Sequence, residues 1–111
     1  MAVSSDYLDF VLEQLAPVGP LTSRRMFGGV GLYAQGLFFA LVDDDTLYLK
    51  GDAALGADFE AAGSTQLASL RTGPMGYWTA PAEALDDPEL MVDWARRSIA
   101  VAAARKARPA R

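Results

Sequence analysis

The segment between Arg24 and Lys50 constrains the fold of this chain most, because it contains short apolar stretches separated by tight polar turns. The glycine of "AQG" suits a left-handed turn position, and "DDDT" forms a second turn between "LFFALV" and "LYLK". Apolar runs of this length between such turns are typical of strands. The spacing therefore predicts three or four consecutive strands arranged as a β-meander.

Residues with helical periodicity precede these predicted strands. After Ser4 or Ser5, either of which is a suitable N-cap, apolar residues recur at the i, i+3, i+4, i+7 spacing until Pro17. These residues are Leu8, Val11, Leu12 and Leu15. The next segment, "PVGPLTS", contains two prolines and a glycine, and it is predicted to be a loop leading into extended chain.

A second helix is predicted directly after the meander. Asp52 is a suitable N-cap, and Leu55 and Phe59 are four residues apart, as on one face of a helix. Gly63 is placed to end this helix in a left-handed conformation.

The last third of the chain predicts two weaker strands, over residues 66–71 and 75–80, and a final helix over 88–106. Asp86 or Asp87 is a suitable cap for that helix. Its core face should contain one large ring, which we expect to be buried against the sheet, and several smaller residues. The residues of this face are Met91, Trp94, Ala95, Ser98 and Ala102.

Together these elements predict an α+β fold with two layers, a mainly antiparallel sheet and helices packed on one face. The predicted order is helix, three or four strands, helix, two strands, helix. "LFFALV" is apolar on both of its alternating faces, which is typical of a central strand whose sheet is covered on both sides. We expect one domain over residues 1–106 and a basic, frayed tail over residues 107–111.

The composition excludes several classes of site. The 111 residues include no cysteine and no histidine, which removes disulfides, thiol catalysis and the commonest general base and metal ligand. The three aspartates 43–45 lie in one tight turn and cannot all point at one cation, so they are interpreted as turn formers. We expect no catalytic residue, no cofactor and no bound metal. No apolar run is long enough to cross a bilayer, and a cytoplasmic location is expected.

The charge is divided unevenly along the chain. Residues 1–95 contain four Lys/Arg and all fourteen Asp/Glu, a net charge of 4 − 14 = −10, whereas residues 96–111 contain six Lys/Arg and no acid. A nucleic-acid role would start from this basic end. The simpler interpretation is that the basic residues complement the negative end of a helix dipole and remain solvated.

The glycine-rich stretch "RRMFGGVGLYAQG" invites comparison with phosphate-binding loops. A P-loop requires a Lys followed by Ser or Thr after its last glycine, and the dinucleotide motif requires a third glycine and a following helix. Neither pattern is present. The stretch is therefore interpreted as part of a strand and not as a nucleotide site.

Simple alternation along this strand places glycines between aromatic rings on one face, which contains Phe27, Gly29, Gly31 and Tyr33. The opposite face then contains Met26, Val30 and Leu32, unless a bulge at the adjacent glycines shifts the phase. The face with the glycines would form a shallow trough, and the favoured interpretation is that a helix or a neighbouring ring fills it. The alternative is a groove for a partner chain or a small apolar ligand. Arg24 and Arg25 flank it as candidate anion ligands, although pairing of one with an acidic neighbour is simpler.

A second candidate surface lies on the side of the sheet away from the helices. Alternation places Phe38, Ala40 and Val42 there, with Tyr48 on the next strand, and an apolar patch of this kind predicts a homodimer. The candidate interaction residues are therefore Arg24, Arg25, Phe27, Gly29, Gly31, Tyr33, Phe38 and Tyr48.

These motifs, taken in order, resemble the TfoX/Sxy N-terminal domain family over residues 5–105. The resemblance depends on "RRMFGGVGLY", "FFALVDDDTLYLK", "MGYW", "LDD" and Trp94 in an alanine-rich helix, together with Asp52, Phe59 and Pro81. It implies a two-layer α+β fold like that of secretion chaperones. It also implies a relation to competence regulators, which act as transcriptional co-activators with a cyclic-AMP receptor protein and contain a second, helical domain. The family supplies no catalytic residues.

The leading hypothesis from the sequence is a stand-alone, non-enzymatic protein-interaction domain that modulates transcription through a protein partner. The first alternative is weak nucleic-acid binding by the basic C-terminal residues Arg105, Lys106, Arg108 and Arg111. The second alternative is binding of a small ligand in the glycine trough.

Overall fold

The computed structural model describes residues 4–26, 28–67 and 76–107, with the backbone only for 106 and 107. The helices are α1 (Ser5–Leu15), α2 (Ala53–Ala61), α3 (Ala82–Leu85) and α4 (Pro88–Ala107), with a 3-10 turn over Ala16–Val18. The strands are β1 (Leu21–Met26), β2 (Gly29–Ala34), β3 (Leu37–Asp43), β4 (Thr46–Gly51) and β5 (Gly76–Thr79).

The five strands form one antiparallel sheet in the order β1-β2-β3-β4-β5. Two of its hairpins close through residues with positive φ, namely Gln35 at 53° with Gly36 at 80°, and Asp44 at 52° with Asp45 at 51°. Two consecutive left-handed residues form the mirror-image turn that matches the twist of antiparallel strands. The predicted α+β class and β-meander are confirmed.

Side-chain caps fix where three helices begin. The Ser4 hydroxyl accepts a hydrogen bond from the Tyr7 N–H at 3.2 Å, and Asp52 accepts one from the Leu55 N–H at 2.9 Å. Asp87 accepts a hydrogen bond from the N–H of Glu89 at 3.1 Å at the start of α4. Satisfying these otherwise unpaired N–H groups stabilises each helix start. Both predicted caps for the first two helices are confirmed, and Asp87 rather than its neighbour caps the last.

Helix α2 ends as the sequence predicts, in a Schellman motif. Gly63 has a φ of 95°, and its N–H donates to the Glu60 carbonyl at 3.0 Å. The Ser64 N–H donates to the Phe59 carbonyl at 2.9 Å. These two bonds satisfy carbonyl groups that have no partner within the helix.

Two predictions about local structure are wrong. Leu21–Ser23 are not loop but the first half of β1, because they pair with residues 32–34 of β2. The short helix α3 was not predicted, since its four residues carry no helical periodicity. Of the predicted strand over 66–71, Gln66 forms an isolated bridge with Trp78, and residues 68–71 lie outside the described part.

The core lies between the sheet and the helices. Helix α4 packs on β3 and β4, α1 packs on α4, and α2 packs on β5. The buried residues of the α4 core face include those predicted, except that Trp94 is only half-buried. Its ring stacks on Phe59 of α2 at 4.8 Å between centroids instead of lying against the sheet. The predicted burial of Trp94 between α4 and the sheet is therefore wrong.

The indole of Trp78 is packed between α2 and the sheet, with 5% of its surface accessible. Its Nε1–H donates to Glu60 Oε2 at 2.9 Å, and its ring lies against Phe59 at 6.0 Å. Glycines make room for it, because a Cβ added to Gly56 would lie 2.3 Å from the ring and one added to Gly51 would lie 3.0 Å away. Glycine thus permits the backbone of α2 to approach the sheet closely.

Candidate interaction surface

The described helices lie on one side of the sheet, where α4 and α2 contact the strands and α1 and α3 pack on α4. We call the other side the open face. Strand register assigns residues to it, since directly paired residues of neighbouring strands project to the same side. Gly31 pairs with Arg24 of β1 and with Leu41 of β3, which pairs with Tyr48 of β4. The open face comprises Thr22, Arg24, Met26, Gly29, Gly31, Tyr33, Phe38, Leu41, Asp43, Thr46, Tyr48, Lys50, Tyr77 and Thr79.

A β-bulge in β3 determines which of its apolar residues belong to this face. Leu32 pairs with Ala40 but Tyr33 pairs with Phe38, so Phe39 is an extra residue. The shift leaves Phe38 on the open face and places Phe39, Ala40 and Val42 in the core, all fully buried. The prediction that Ala40 and Val42 share a surface with Phe38 is wrong, because simple alternation does not hold across a bulge.

The glycine trough exists, but the protein's own side chains fill it. A Cβ added to Gly31 would lie 2.8 Å from Met26 Cε and 3.0 Å from Phe38 Cε1. The expectation that a neighbouring ring packs there is confirmed. Met26 lies on the same face as Gly29 and not opposite it, because the turn at Gly28, with a φ of 79°, reverses the chain between them. Phe27 lies outside the described residues.

Three aromatic rings, from β2, β3 and β5, form a row across the open face. Tyr33 and Phe38 stack with centroids 5.2 Å apart, and Phe38 and Tyr77 are 5.5 Å apart. The Lys50 ammonium lies 5.3 Å from the Phe38 centroid and 5.8 Å from that of Tyr77. Both distances are within the range of a cation–π interaction. Tyr48, two residues before Lys50 on β4, is a half-buried ring of the same face that lies outside this row, beside Leu41 and Thr79.

Burial shifts the pKa of three polar side chains on the open face. Burial lowers the pKa of Lys50, and the nearby positive charge of Arg105 lowers it further. Burial raises the pKa of Tyr77 above its ordinary value, with a smaller contribution from Tyr33. Burial also raises the pKa of Tyr48, beside the negative charges of Asp43 and Asp44. Among the described residues, no carboxylate lies within ion-pair distance of Lys50.

The two arginines predicted to flank the trough are separated by the sheet. Arg24 pairs with Gly31 and projects to the open face, whereas Arg25 pairs with Val30 and projects to the helix side. Both are exposed, and neither has an ion pair within the described part of the chain. They cannot bind one small anion together in the trough, and the interpretation that one of them pairs with an acidic neighbour is not supported there.

Two of the four candidate nucleic-acid residues lie at the C-terminal end of α4. Arg105 is exposed, and Lys106 belongs to the helix, which continues to Ala107. Arg108 and Arg111 lie outside the described residues. The domain boundary predicted at residue 106 stays a prediction.

Sequence reasoning missed several members of the open face, among them Met26, Leu41, Lys50 and Tyr77. Lys50 follows Tyr48 at the period of two that defines a strand face, so this alternation was a usable indication. The position of Met26 depended on the turn at Gly28, and that of Tyr77 on the pairing of β4 with β5. Neither the turn at Gly28 nor the pairing of β4 with β5 can be inferred from the sequence alone.

Over the described ranges, no three acidic, histidine or cysteine side chains come together in a way that would hold a metal ion. Within the same ranges, no helix combines the length and the apolar composition needed to span a membrane.

Comparison with known proteins now gives the family. The model of the TfoX N-terminal domain matches residues 13–102. A DNA transformation protein, TfoX1 of Aliivibrio fischeri, is 44% identical over 46 residues, which is 41% of this chain and 22% of that relative. The aligned part thus spans about a fifth of the relative's length. Because the family model covers most of the sequence, this chain belongs to the TfoX N-terminal domain family.

Proposed function

We propose that this chain is a non-enzymatic protein-interaction domain of the cytoplasm, which binds a protein partner through the open face of its sheet. The observation that carries this proposal is the aromatic row of Tyr33, Phe38 and Tyr77 beside the half-buried Lys50. Tyr33 and Phe38 are half-buried, whereas Tyr77 is buried, with 3% of its surface accessible, and supports Phe38 from the side. Partly exposed aromatic rings on a rigid sheet are enriched at the centres of protein interfaces. No described helix packs on this face, although Leu41 and Tyr77 on it are buried, each with 3% of its surface accessible.

A macromolecular partner suits this surface better than a small ligand. Met26 and Phe38 fill the trough at Gly31, so the face offers no cavity at that position. Small-molecule sites are concave and enclose most of their ligand. The open face, with half-buried rings and the exposed Arg24 on its edge strand, instead suits a protein interface.

The family suggests where to look for the partner. Resemblance to competence regulators makes a transcription factor, such as a cyclic-AMP receptor protein, the first partner to test. The printed name of the A. fischeri relative makes DNA transformation the first process to test. Since that relative is matched over only part of its length, we propose transcriptional co-regulation for this chain as a hypothesis separate from the binding surface.

The test is a binding titration with purified cyclic-AMP receptor protein from the same organism, with and without promoter DNA. Phe38→Ser should weaken binding at least tenfold, a change of about 1.4 kcal/mol. Phe10→Ser is the matched control, because Phe10 is an exposed phenylalanine on α1, with 39% of its surface accessible. Loss of binding in the control, or equal binding by both variants, would contradict the proposed surface.

A second copy of the chain is a competing occupant of the same face, as the predicted homodimer requires. The bulge reduces that apolar surface to Phe38 and the flanking rings, since Ala40 and Val42 are in the core and Leu41 has only 3% of its surface accessible. Sedimentation velocity over a wide concentration range separates the possibilities. A dimer that Phe38→Ser dissociates would favour self-association, and a monomer throughout would remove it.

Direct nucleic-acid binding is expected to be weak at most. Residues 1–95 carry a net charge of −10, which repels a phosphate backbone within a Debye length of about 8 Å at physiological salt. Any binding by the basic end should fall with salt at a log–log slope of about −0.9 per neutralised phosphate. A tight, sequence-selective complex at that salt, lost on truncation after Ala104, would replace the proposed function.

A further inference from the structure

The two edges of the sheet are finished differently. At β5, the Leu67 N–H donates to the Tyr77 carbonyl at 2.7 Å, and the Thr79 N–H donates to the Thr65 carbonyl at 2.9 Å. These bonds cover the outer side of β5. At the other edge, β1 pairs only with β2 among the described residues. An uncovered edge strand presents N–H and C=O groups to which another extended chain can bind.

The register of β1 shows which backbone groups are available. Met26 and Gly29 flank a two-residue turn, and such a flanking pair is hydrogen bonded within the hairpin. Bonded and non-bonded pairs alternate along an antiparallel ladder. The N–H and C=O groups of Leu21, Ser23 and Arg25 therefore point away from the sheet.

The charge of this edge determines what kind of strand fits. Arg24 projects to the open face and Arg25 to the helix side, so an added strand would meet a guanidinium on both of its faces. Their cross-strand partners on β2 are Gly31 and Val30, which carry no charge. A second copy of β1 would bring two more arginines beside these, and like charges at close cross-strand positions are destabilising. An added strand with adjacent acidic residues would instead pair with both.

We propose that β1 binds an extended acidic segment of the partner protein by antiparallel strand addition. This inference rests on the proposed function as a protein-interaction domain, but it assigns the edge of β1 where the proposed function assigns the open face. Main-chain hydrogen bonds would provide the pairing, and the two arginines would select for an Asp/Glu pair. Short strand additions of this kind bind through few side chains, so charge determines their selectivity.

The probe is a synthetic peptide designed as the antiparallel complement of β1, Val-Glu-Glu-Thr-Thr-Val, with capped termini. The charge-reversed peptide Val-Lys-Lys-Thr-Thr-Val is its control. Titrations of isotopically labelled protein followed by NMR should give at least tenfold tighter binding of the acidic peptide at low salt. Equal binding of the two peptides would overturn the proposal.

Backbone variants separate edge binding from binding elsewhere. Ser23→Pro removes an outward N–H without removing a bond to β2, and proline is tolerated on edge strands. Ser23→Pro should weaken binding of the acidic peptide at least tenfold, whereas Ser23→Ala should leave that binding unchanged. Full binding by a folded Ser23→Pro protein would contradict strand addition. Phe38→Ser, which tests the open face, should leave peptide binding unchanged, so failure of one proposal can be distinguished from failure of the other.

Amide hydrogen exchange of the unmodified protein gives an independent result that needs no variant. Saturation with the acidic peptide should slow exchange at Leu21, Ser23 and Arg25 by at least tenfold, with little change at Thr22 and Arg24. Equal slowing of amide exchange at all residues of β1, or slowing at residues outside β1 but not within it, would overturn the proposal. Slowing at these residues in the absence of peptide, with dimerisation in sedimentation, would show that a second copy occupies the edge and would also overturn it.

Discussion

The two faces of the sheet both place glycines under aromatic rings, but only one of them is sealed. On the helix side, Gly56 of α2 lies against Trp78, whose indole is held by Glu60 and by Phe59. On the open face, Gly31 lies against Met26 and Phe38, which are half-buried. The same pairing of glycine and ring thus serves core packing on one side and surface formation on the other.

The difference lies in what holds each ring from above. Trp78 has only 5% of its surface accessible, because α2 covers it and Glu60 accepts its N–H. Phe38 has lateral contacts with Tyr33 and Tyr77 but no described element above it. A ring fixed at its sides and free on top is positioned to bind a partner at little cost in side-chain entropy.

The largest expected effect is the loss of the sealed ring. Trp78→Ala should cost about 3 to 5 kcal/mol of unfolding free energy, because it leaves a cavity between α2 and the sheet. Phe38→Ala should cost about 1 to 2 kcal/mol, because its ring already contacts water. Denaturant unfolding of both variants measures this. Equal losses would mean that the two faces are buried alike.

Alanine at the two glycines sharpens the comparison. Replacing glycine within a helix normally stabilises by about 1 kcal/mol, but Gly56→Ala would push a Cβ to 2.3 Å from the fixed Trp78 ring. We expect a net loss of about 2 kcal/mol. Gly31→Ala meets the mobile end of Met26 and should lose less than about 1 kcal/mol. Thermal melts that show Gly56→Ala to be stabilising would contradict the close packing of Trp78.

Trp94 lies between these extremes. Its half-buried ring stacks on Phe59 at 4.8 Å, and the Arg97 guanidinium lies 4.9 Å from its centroid while also pairing with Asp58. Trp94→Ala should therefore cost about 2 kcal/mol, less than a fully buried tryptophan would. In the Trp78→Phe variant, Trp94 is the remaining tryptophan. Its fluorescence should be that of a partly solvated indole. A loss as large as that of Trp78→Ala would place Trp94 in the sealed core.

The smallest effect concerns pH. The folded pKa of Lys50 lies below its unfolded value of 10.5, so between these values the unfolded chain binds more protons. Stability should therefore rise slightly with pH as Lys50 loses its proton in the folded state. Lys50→Met should remove this rise below about pH 10, where tyrosines stay protonated. Identical pH profiles of the two proteins would show that the ammonium is solvated.

The sequence was sufficient for the parts of the fold that depend on local chemistry. The caps at Ser4 and Asp52 and the end of α2 at Gly63 follow from side-chain and backbone preferences over a few residues. The assignment of faces on β3 was not accessible, because one extra residue at Phe39 reverses every side chain beyond it.

The candidate surface was only partly predictable for the same reason. Tyr33, Phe38 and Tyr48 were identified as interaction candidates, and the register places all three on the open face. Lys50 could have been added from its alternation with Tyr48, whereas Met26 and Tyr77 join them only through pairings across strands. Trp94 was misplaced because helical periodicity gives the buried side of α4 but not which element covers each ring.

The central claim is that one face of the sheet is sealed and the other is open for a partner. Solvent paramagnetic relaxation measures this directly, since a soluble gadolinium chelate broadens the NMR signals of side chains that it can approach. In the free protein, the ring protons of Phe38 and Tyr48 should broaden strongly, while those of Phe39 and Trp78 should stay sharp. Equal protection of Phe38 and Phe39 in the monomeric protein would contradict the account.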